Sequence, residues 1–346
     1  MNRACVLGGG GARGSFQVGM LEELVIKQGI DFQILRGVSV GALNTSFLAM
    51  APVGKNRKES LVNLQKQVEC LKKLWLEEIK GNYSIYGEKF GSLLSIPFGS
   101  DSLYTFEPLK NLINKYLDLK KLRDSGRNFA VGTVSLLTGK YQEWTAKDDY
   151  FKEKLLASCS IPLIFPPVKL KDDLLVDGGV RNITPLSSAF KEKPEEIYVL
   201  LTSRLIKKAD GSLPESTVIE EPFSKWDDNW LGTKVSGFNI LKRSIEILTD
   251  EIYLDDIRQA ITWNKILSAV KETFKDLKEK GLDDEAKKLE KKFKDFRKKF
   301  IKIYILAPQT LYGEDNNSVN FSPELIKKAK EDGKEVAKDK NLWITS

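Results

Sequence analysis

Phe32-Gln33-Ile34-Leu35-Arg36-Gly37-Val38-Ser39-Val40-Gly41-Ala42-Leu43-Asn44 reads as a strand that breaks at a serine and restarts as a helix. Residues 32–38, with Phe32, Ile34, Leu35 and Val38 apolar, are short enough for a buried strand, and residues 40–50 continue as a helix. A serine on so tight a turn stands at the end of a sheet with its hydroxyl exposed. The free N–H groups and dipole of the next helix then face any negative charge forming there. Gly-x-Ser-x-Gly turns usually work with an imidazole base in a Ser-His-Asp/Glu triad. This chain of 346 residues has no histidine. Either Gly37-Val38-Ser39-Val40-Gly41 is a chance match, or Ser39 uses another base.

Upstream, residues 4–7 form a short apolar run that enters Gly8-Gly9-Gly10-Gly11-Ala12-Arg13-Gly14. A helix follows with Phe16, Met20, Leu21, Leu24 and Val25 on one face. Two strand–turn–helix units within fifty residues are the opening of a parallel sheet covered by helices. Downstream, the periodicity predicts a helix over 61–79, a loop or lid over 81–106, strands over 129–136 and 141–144, and a helix over 151–158. Further strands are expected at 174–176 and 197–202. From Ile240 the pattern is helical, with Gly281 separating two apolar stripes into an αα-hairpin. A last strand over 301–306 and a helix beginning near Ser322-Pro323-Glu324 return to the sheet. The expected fold is three-layer α/β/α with a mainly parallel central sheet and a C-terminal helical hairpin insertion. Residues 1–210 would form the core, with a lid-like insertion at about 52–106. Residues 211–300 would form a mostly helical extension, and residues 301–346 the returning strand and helix.

Composition is that of an ordinary globular chain, 41% hydrophobic and 30% charged. The net charge of +7 arises from 55 basic and 48 acidic residues. Lysines mixed with acids suit a solvated surface, or one drawn to anionic lipid, and speak against nucleic acid. Cys5, Cys70 and Cys159 lie far apart with no metal-ligand spacing, so reduced thiols and a cytoplasmic location are expected. No apolar run approaches the ~20 residues that span a bilayer, so any membrane contact would be peripheral. No metal or cofactor is expected, and the sequence sets no oligomeric state.

Gly9 to Gly14 satisfies Gly-x-Gly-x-x-Gly, as a dinucleotide-binding turn would. The second strand should then end in an acid to hold a ribose, and it ends in the serine turn instead. A Walker loop needs lysine where Ser15 stands. The alternatives are a plain tight turn or an oxyanion hole, in which backbone N–H groups converge on developing charge at roughly 3–4 kcal/mol per donor. Arg13 adds positive charge or orients that loop. The third piece is Asp177-Gly178-Gly179, a carboxylate at the end of an apolar strand, where an isolated Asp-Gly would ordinarily mean only a turn.

Taken in order, the glycine loop, the serine turn and Asp177-Gly178-Gly179 resemble the three signatures of the patatin-like phospholipase family. The segment Ala157-Ser158-Cys159-Ser160-Ile161-Pro162 with Phe165-Pro166-Pro167 resembles the stretch that precedes the aspartate in that family. The resemblance spans residues 4 to about 205. It implies a Ser-Asp dyad, which accounts for the missing histidine: Ser39 as nucleophile and Asp177 as base. Gly9, Gly10, Gly11, Arg13 and Gly14 would form the oxyanion loop, supported by Gly37, Gly41, Gly178 and Gly179. It implies a lipid acyl hydrolase acting on phospholipid or other acyl esters. A transacylase using the same dyad, or a nucleotide-binding protein using Gly9 to Gly14, are the competing readings. An ordinary aspartate, with a pKa of about 3.9, is a weak base towards a serine hydroxyl. The site must therefore desolvate Asp177 or stabilise the transition state more strongly than a triad does. Lipid contact is expected at residues 93–106 and at residues 285–299, which hold eight basic and three acidic side chains.

Overall fold

The computed structural model describes residues 2–89, 101–205, 213, 237–294, 301–310 and 319–346. Its centre is a nine-stranded sheet, to which the strands are contributed in the order β1 (Arg3–Leu7), β2 (Ile34–Val38), β5 (Asn128–Ser135), β6 (Tyr141–Trp144), β7 (Val168–Leu170), β8 (Asp173–Asp177), β9 (Glu196–Leu200), β10 (Lys302–Leu306) and β11 (Ile344–Thr345). Two short strands, β3 (Gly87–Glu88) and β4 (Tyr104–Thr105), pair separately. The five central strands, β10-β9-β1-β2-β5, run parallel, while β6, β8 and β11 run antiparallel to them at the margins and β7 pairs antiparallel to β8. The fold is thus α/β with a mostly parallel sheet.

Helices cover both faces: α1 (Gly14–Leu21), α2 (Val40–Ala49), α3 (Arg57–Lys73), α4 (Glu107–Tyr116), α5 (Leu119–Asp124), α6 (Phe151–Ser158), α7 (Leu186–Lys191), α8 (Gly237–Glu279), α9 (Asp283–Lys294) and α10 (Pro323–Lys338). Alternation along β1 assigns the two faces. Cys5 and Leu7 pack with Phe16, Leu64 and Ile326, whereas Ala4 and Val6 pack with Leu186, Tyr253, Leu254 and Ile257. Both sides of the strands are therefore apolar, as a parallel sheet between helical layers requires. Helix α8 closes the second face with its middle turns, and the hairpin it forms with α9 turns at Gly281. Helix α1 is buried on every side and continues into a π-helical turn, Glu22–Lys27. None of the helices among the described residues is long and apolar enough to cross a membrane.

The register on β5 decides where the site lies. Val131 and Gly132 pair with β2 on one edge and β6 on the other, while Thr133 and Val134 pair with β6 and β8. Strands β2 and β8 therefore share one edge of β5 and meet there end to end. Val38 is opposite Gly132, and Asp177 is opposite Thr133, the next residue. Val38 and Asp177, 139 positions apart in the chain, are brought to neighbouring points on one strand. Of the expected lid, residues 90–100 lie outside the described residues, as do the side chains of Phe293, Phe296 and Phe300 and most of residues 206–236.

Candidate active site

Ser39 occupies the turn between β2 and α2 with φ 57° and ψ −131°, a strained conformation for a residue with a Cβ. The turn holds because it is tied from both sides. The Ser39 N–H donates to Ser158 Oγ at 3.0 Å, and the Ser158 hydroxyl donates to the Gly132 carbonyl at 2.7 Å. Its own carbonyl accepts from the Ala42 and Leu43 N–H groups as α2 begins. A Cβ at Gly41 would overlap the Leu7 carbonyl oxygen, and one at Gly37 the Gly41 carbonyl oxygen. Both glycines of the motif are needed for close approach of backbone to backbone.

Asp177 ends β8 and is buried. Its Oδ1 accepts from the Gly179 N–H at 2.7 Å, and its Oδ2 has no hydrogen-bond partner among the described residues. The backbone N–H of Asp177 is held by the Ser160 carbonyl at 3.0 Å, and Ser160 Oγ is anchored on Pro166. Burial pushes the Asp177 carboxyl up to about 7, against the opposing pull of the Ser39 hydroxyl and the Gly179 N–H. No cation contributes to that balance among the described residues. Burial, and then the charge of Asp177, keep the Cys159 thiol well above its usual range, so it is a neutral neighbour.

The glycine loop runs beside Ser39. A Cβ at Gly9 would come within 3.1 Å of the Ser39 Cβ, and Gly11 lines the same cavity as Ser39. Gly10 has φ 151° and sits against Thr202 with no room for a side chain. The loop carbonyls are all engaged. Gly8 O accepts from Gln17 Nε2 at 2.8 Å, Gly9 O from the Thr202 hydroxyl, Gly10 O from Arg13 Nε at 3.3 Å, and Gly14 O from Asn44 Nδ2 at 3.2 Å. The N–H groups of Gly8 and Gly9 bond Leu200 and Ile183, whereas those of Gly10 and Gly11 donate to no acceptor among the described residues. Arg13 thus orients the loop, and two donors stay open.

Behind this loop lies a polar clamp that the motifs did not reveal. Asn44 Nδ2 also donates to Gln17 Oε1 at 2.9 Å, and Trp75 Nε1 donates to Asn44 Oδ1 at 3.0 Å. Gln17 Nε2 reaches Leu200 O as well, at 3.1 Å. All three side chains are buried. Polar residues on the apolar stripes of two helices were the available signal, since buried amides persist only when bonded. Ser158 and Ser160 lie in the segment already noted before the aspartate, where nothing in the sequence distinguished their separate jobs.

The Ser39 hydroxyl opens into a cavity of about 100 Å3. Its walls are almost wholly apolar, with Phe47, Leu74, Phe106, Leu109, Ile113 and Phe165 among them. Such a cavity suits a hydrocarbon chain. Ser39, Asp177, Gly9, Gly10, Gly11 and Gly14 are gathered at one point, with Gly37, Gly41, Gly178 and Gly179 packed around them.

The family model described as patatin-like phospholipase matches residues 5–190. An uncharacterized protein of Bacillus subtilis (strain 168), YqhO, is 27% identical over 215 residues, covering 56% of this chain and 68% of that protein. Among solved structures, VipD from Legionella pneumophila superimposes with a TM-score of 0.41 at 12% identity, covering 100% of this chain and 68% of the other.

Proposed function

Because the chain belongs to the patatin-like phospholipase family, we propose that it cleaves carboxylic esters of acyl lipids through a Ser39 acyl-enzyme. Asp177 is the general base. The observation that carries this reading is the meeting of a strained, buried serine and an aspartate with one open oxygen at the mouth of an apolar cavity. Ser39 Oγ attacks the ester carbonyl while Asp177 takes its proton. The Gly10 and Gly11 N–H groups receive the oxyanion. Collapse expels the alcohol, which leaves with the proton from Asp177. Water then attacks the acyl-enzyme, with Asp177 again as base, and the acid is released. The acyl chain occupies the cavity throughout. Peripheral contact with an anionic membrane through the Lys-rich residues 285–299 belongs to the same reading.

A fluorophosphonate probe tests the nucleophile. Its mass should appear on the Ser39 peptide of the wild type and be missing in Ser39→Ala. A wild type that takes no label would refute the acyl-enzyme.

The pH profile tests the base. Below about 7 Asp177 carries its proton and cannot accept another, so activity should fall with acid. On a soluble ester, log kcat/KM is expected to rise with unit slope to about pH 7 and then level off. A limb near pH 4 instead would mean that the carboxylate is as wet as an ordinary aspartate.

A further inference from the structure

Helix α8 lies outside the segment matched to the family, yet it reaches the back of the Asp177 turn. That turn runs from Asp177 to Asn182, and the Gly178 carbonyl accepts from both the Arg181 N–H at 3.1 Å and the Asn182 N–H at 2.9 Å. The Asn182 side chain faces two acceptors, Asp256 Oδ2 and the Thr184 carbonyl. The amide orientation that satisfies them turns its NH2 to both, at 3.0 and 3.1 Å. Asn182 thus joins the turn to α8.

Asp256 does not arrive there by chance of surface. Its neighbours Tyr253, Ile257 and Ala260 are buried against the second face of the sheet, and the Tyr253 hydroxyl donates to the Ser203 carbonyl at 3.1 Å. The buried Tyr141 hydroxyl feels the charges of Glu143, Asp256 and Asp177. Burial, with Asp255 adding to it, pushes the Asp256 carboxyl up to about 7. A half-buried carboxylate is an unfavourable choice for a helix that needs only apolar contact with the sheet.

We propose that Asp256 is a positioning residue for Asp177: it accepts the Asn182 amide and thereby fixes the turn that carries the aspartate, so that α8 completes the site. The inference rests on Asp177 being the base. Slack in that turn moves the carboxylate relative to Ser39 without altering the acyl cavity on the other side. The loss should therefore fall on kcat and spare KM.

The test is a double-mutant cycle on a short-chain p-nitrophenyl ester, with fluorophosphonate labelling in parallel. Asp256→Leu and Asn182→Ala are each expected to lower kcat roughly tenfold or more, with KM nearly unchanged. The double variant should be no worse than the poorer single, because both remove one bond. Asp256→Asn should restore activity, since its Oδ1 accepts the same hydrogen. Asp256→Ala replaces Asp256→Leu, with the same outcomes, where the leucine variant does not fold. A kcat within about twofold of wild type in Asp256→Leu, additive losses, or an effect on KM alone would overturn the proposal. A wild type that neither turns over ester nor takes the label overturns the hydrolase reading and this inference with it. An active wild type with an unchanged Asp256→Leu overturns the inference alone.

Discussion

Asp177→Asn should lower kcat by roughly 10^4-fold or more while raising the melting temperature above neutral pH. The substitution is isosteric. An amide oxygen can still accept the Gly179 N–H that Asp177 Oδ1 holds at 2.7 Å, so the turn keeps its anchor. What disappears is the basic oxygen, the Oδ2 with no hydrogen-bond partner among the described residues. The stability change follows from the same burial. In the folded protein the carboxyl titrates at about 7, against 3.8 ordinarily. Between those values the folded state holds one more proton than the unfolded state, so stability falls as pH rises through this window. It is fully present below about pH 4, and above about pH 7 the loss is complete. At about 1.4 kcal/mol per unit, the full penalty is on the order of 4 kcal/mol. The neutral amide does not bear it. Melting curves at pH 5, 6, 7 and 8 should therefore show a gap between variant and wild type that widens to about pH 7 and then stays constant. Near-normal turnover in Asp177→Asn would remove the dyad, and equal melting at pH 8 would remove the desolvated base.

That opposition between stability and activity explains which parts of the site were legible in the sequence. Glycines, the serine and the aspartate stand out because close backbone approach and nucleophilic chemistry admit few residue types. Strand β1, helix α6 and the αα-hairpin were equally plain, since their apolar spacing is periodic. The antiparallel run of β8 was not. Orientation is set by the β7–β8 hairpin and by pairing on β5, neither of which leaves a mark on residues 173–177. Yet this reversal is what brings Asp177 to the edge where β2 ends. Gln17, Asn44 and Asp256 were missed for a related reason. Each is a single polar residue in an apolar stripe, and its partner is fixed only by the tertiary fold. Helix α8 shows the same limit: in the sequence it reads as part of a mostly helical extension, while its turns around Tyr253 and Ile257 form part of the second helical layer.

Gly19→Ala and Gly333→Ala should each destabilise the fold by about 3 kcal/mol or more, although alanine is the better helix former by about 1 kcal/mol. The reason is a helix crossing with no side chains in it. A Cβ on Gly19 of α1 would overlap the Lys330 carbonyl oxygen and stand 2.9 Å from the Lys334 nitrogen. One on Gly333 of α10 would overlap the Phe16 carbonyl oxygen. Backbone cannot step aside by changing rotamer, so the helices must separate. Separation strains the Lys330–Glu22 ion pair, 2.6 Å long and nine-tenths buried on both sides. It also shifts α1, whose Gln17 holds the Gly8 carbonyl and hence the oxyanion loop. Loss of stability should therefore be accompanied by loss of kcat in the molecules that remain folded. Once one alanine has parted the helices, the second meets less resistance, and the double variant should cost less than the two singles together. Denaturant midpoints and kcat measured on all three variants decide the matter. A gain in stability in either single variant would mean that helix propensity, not the backbone contact, governs this crossing.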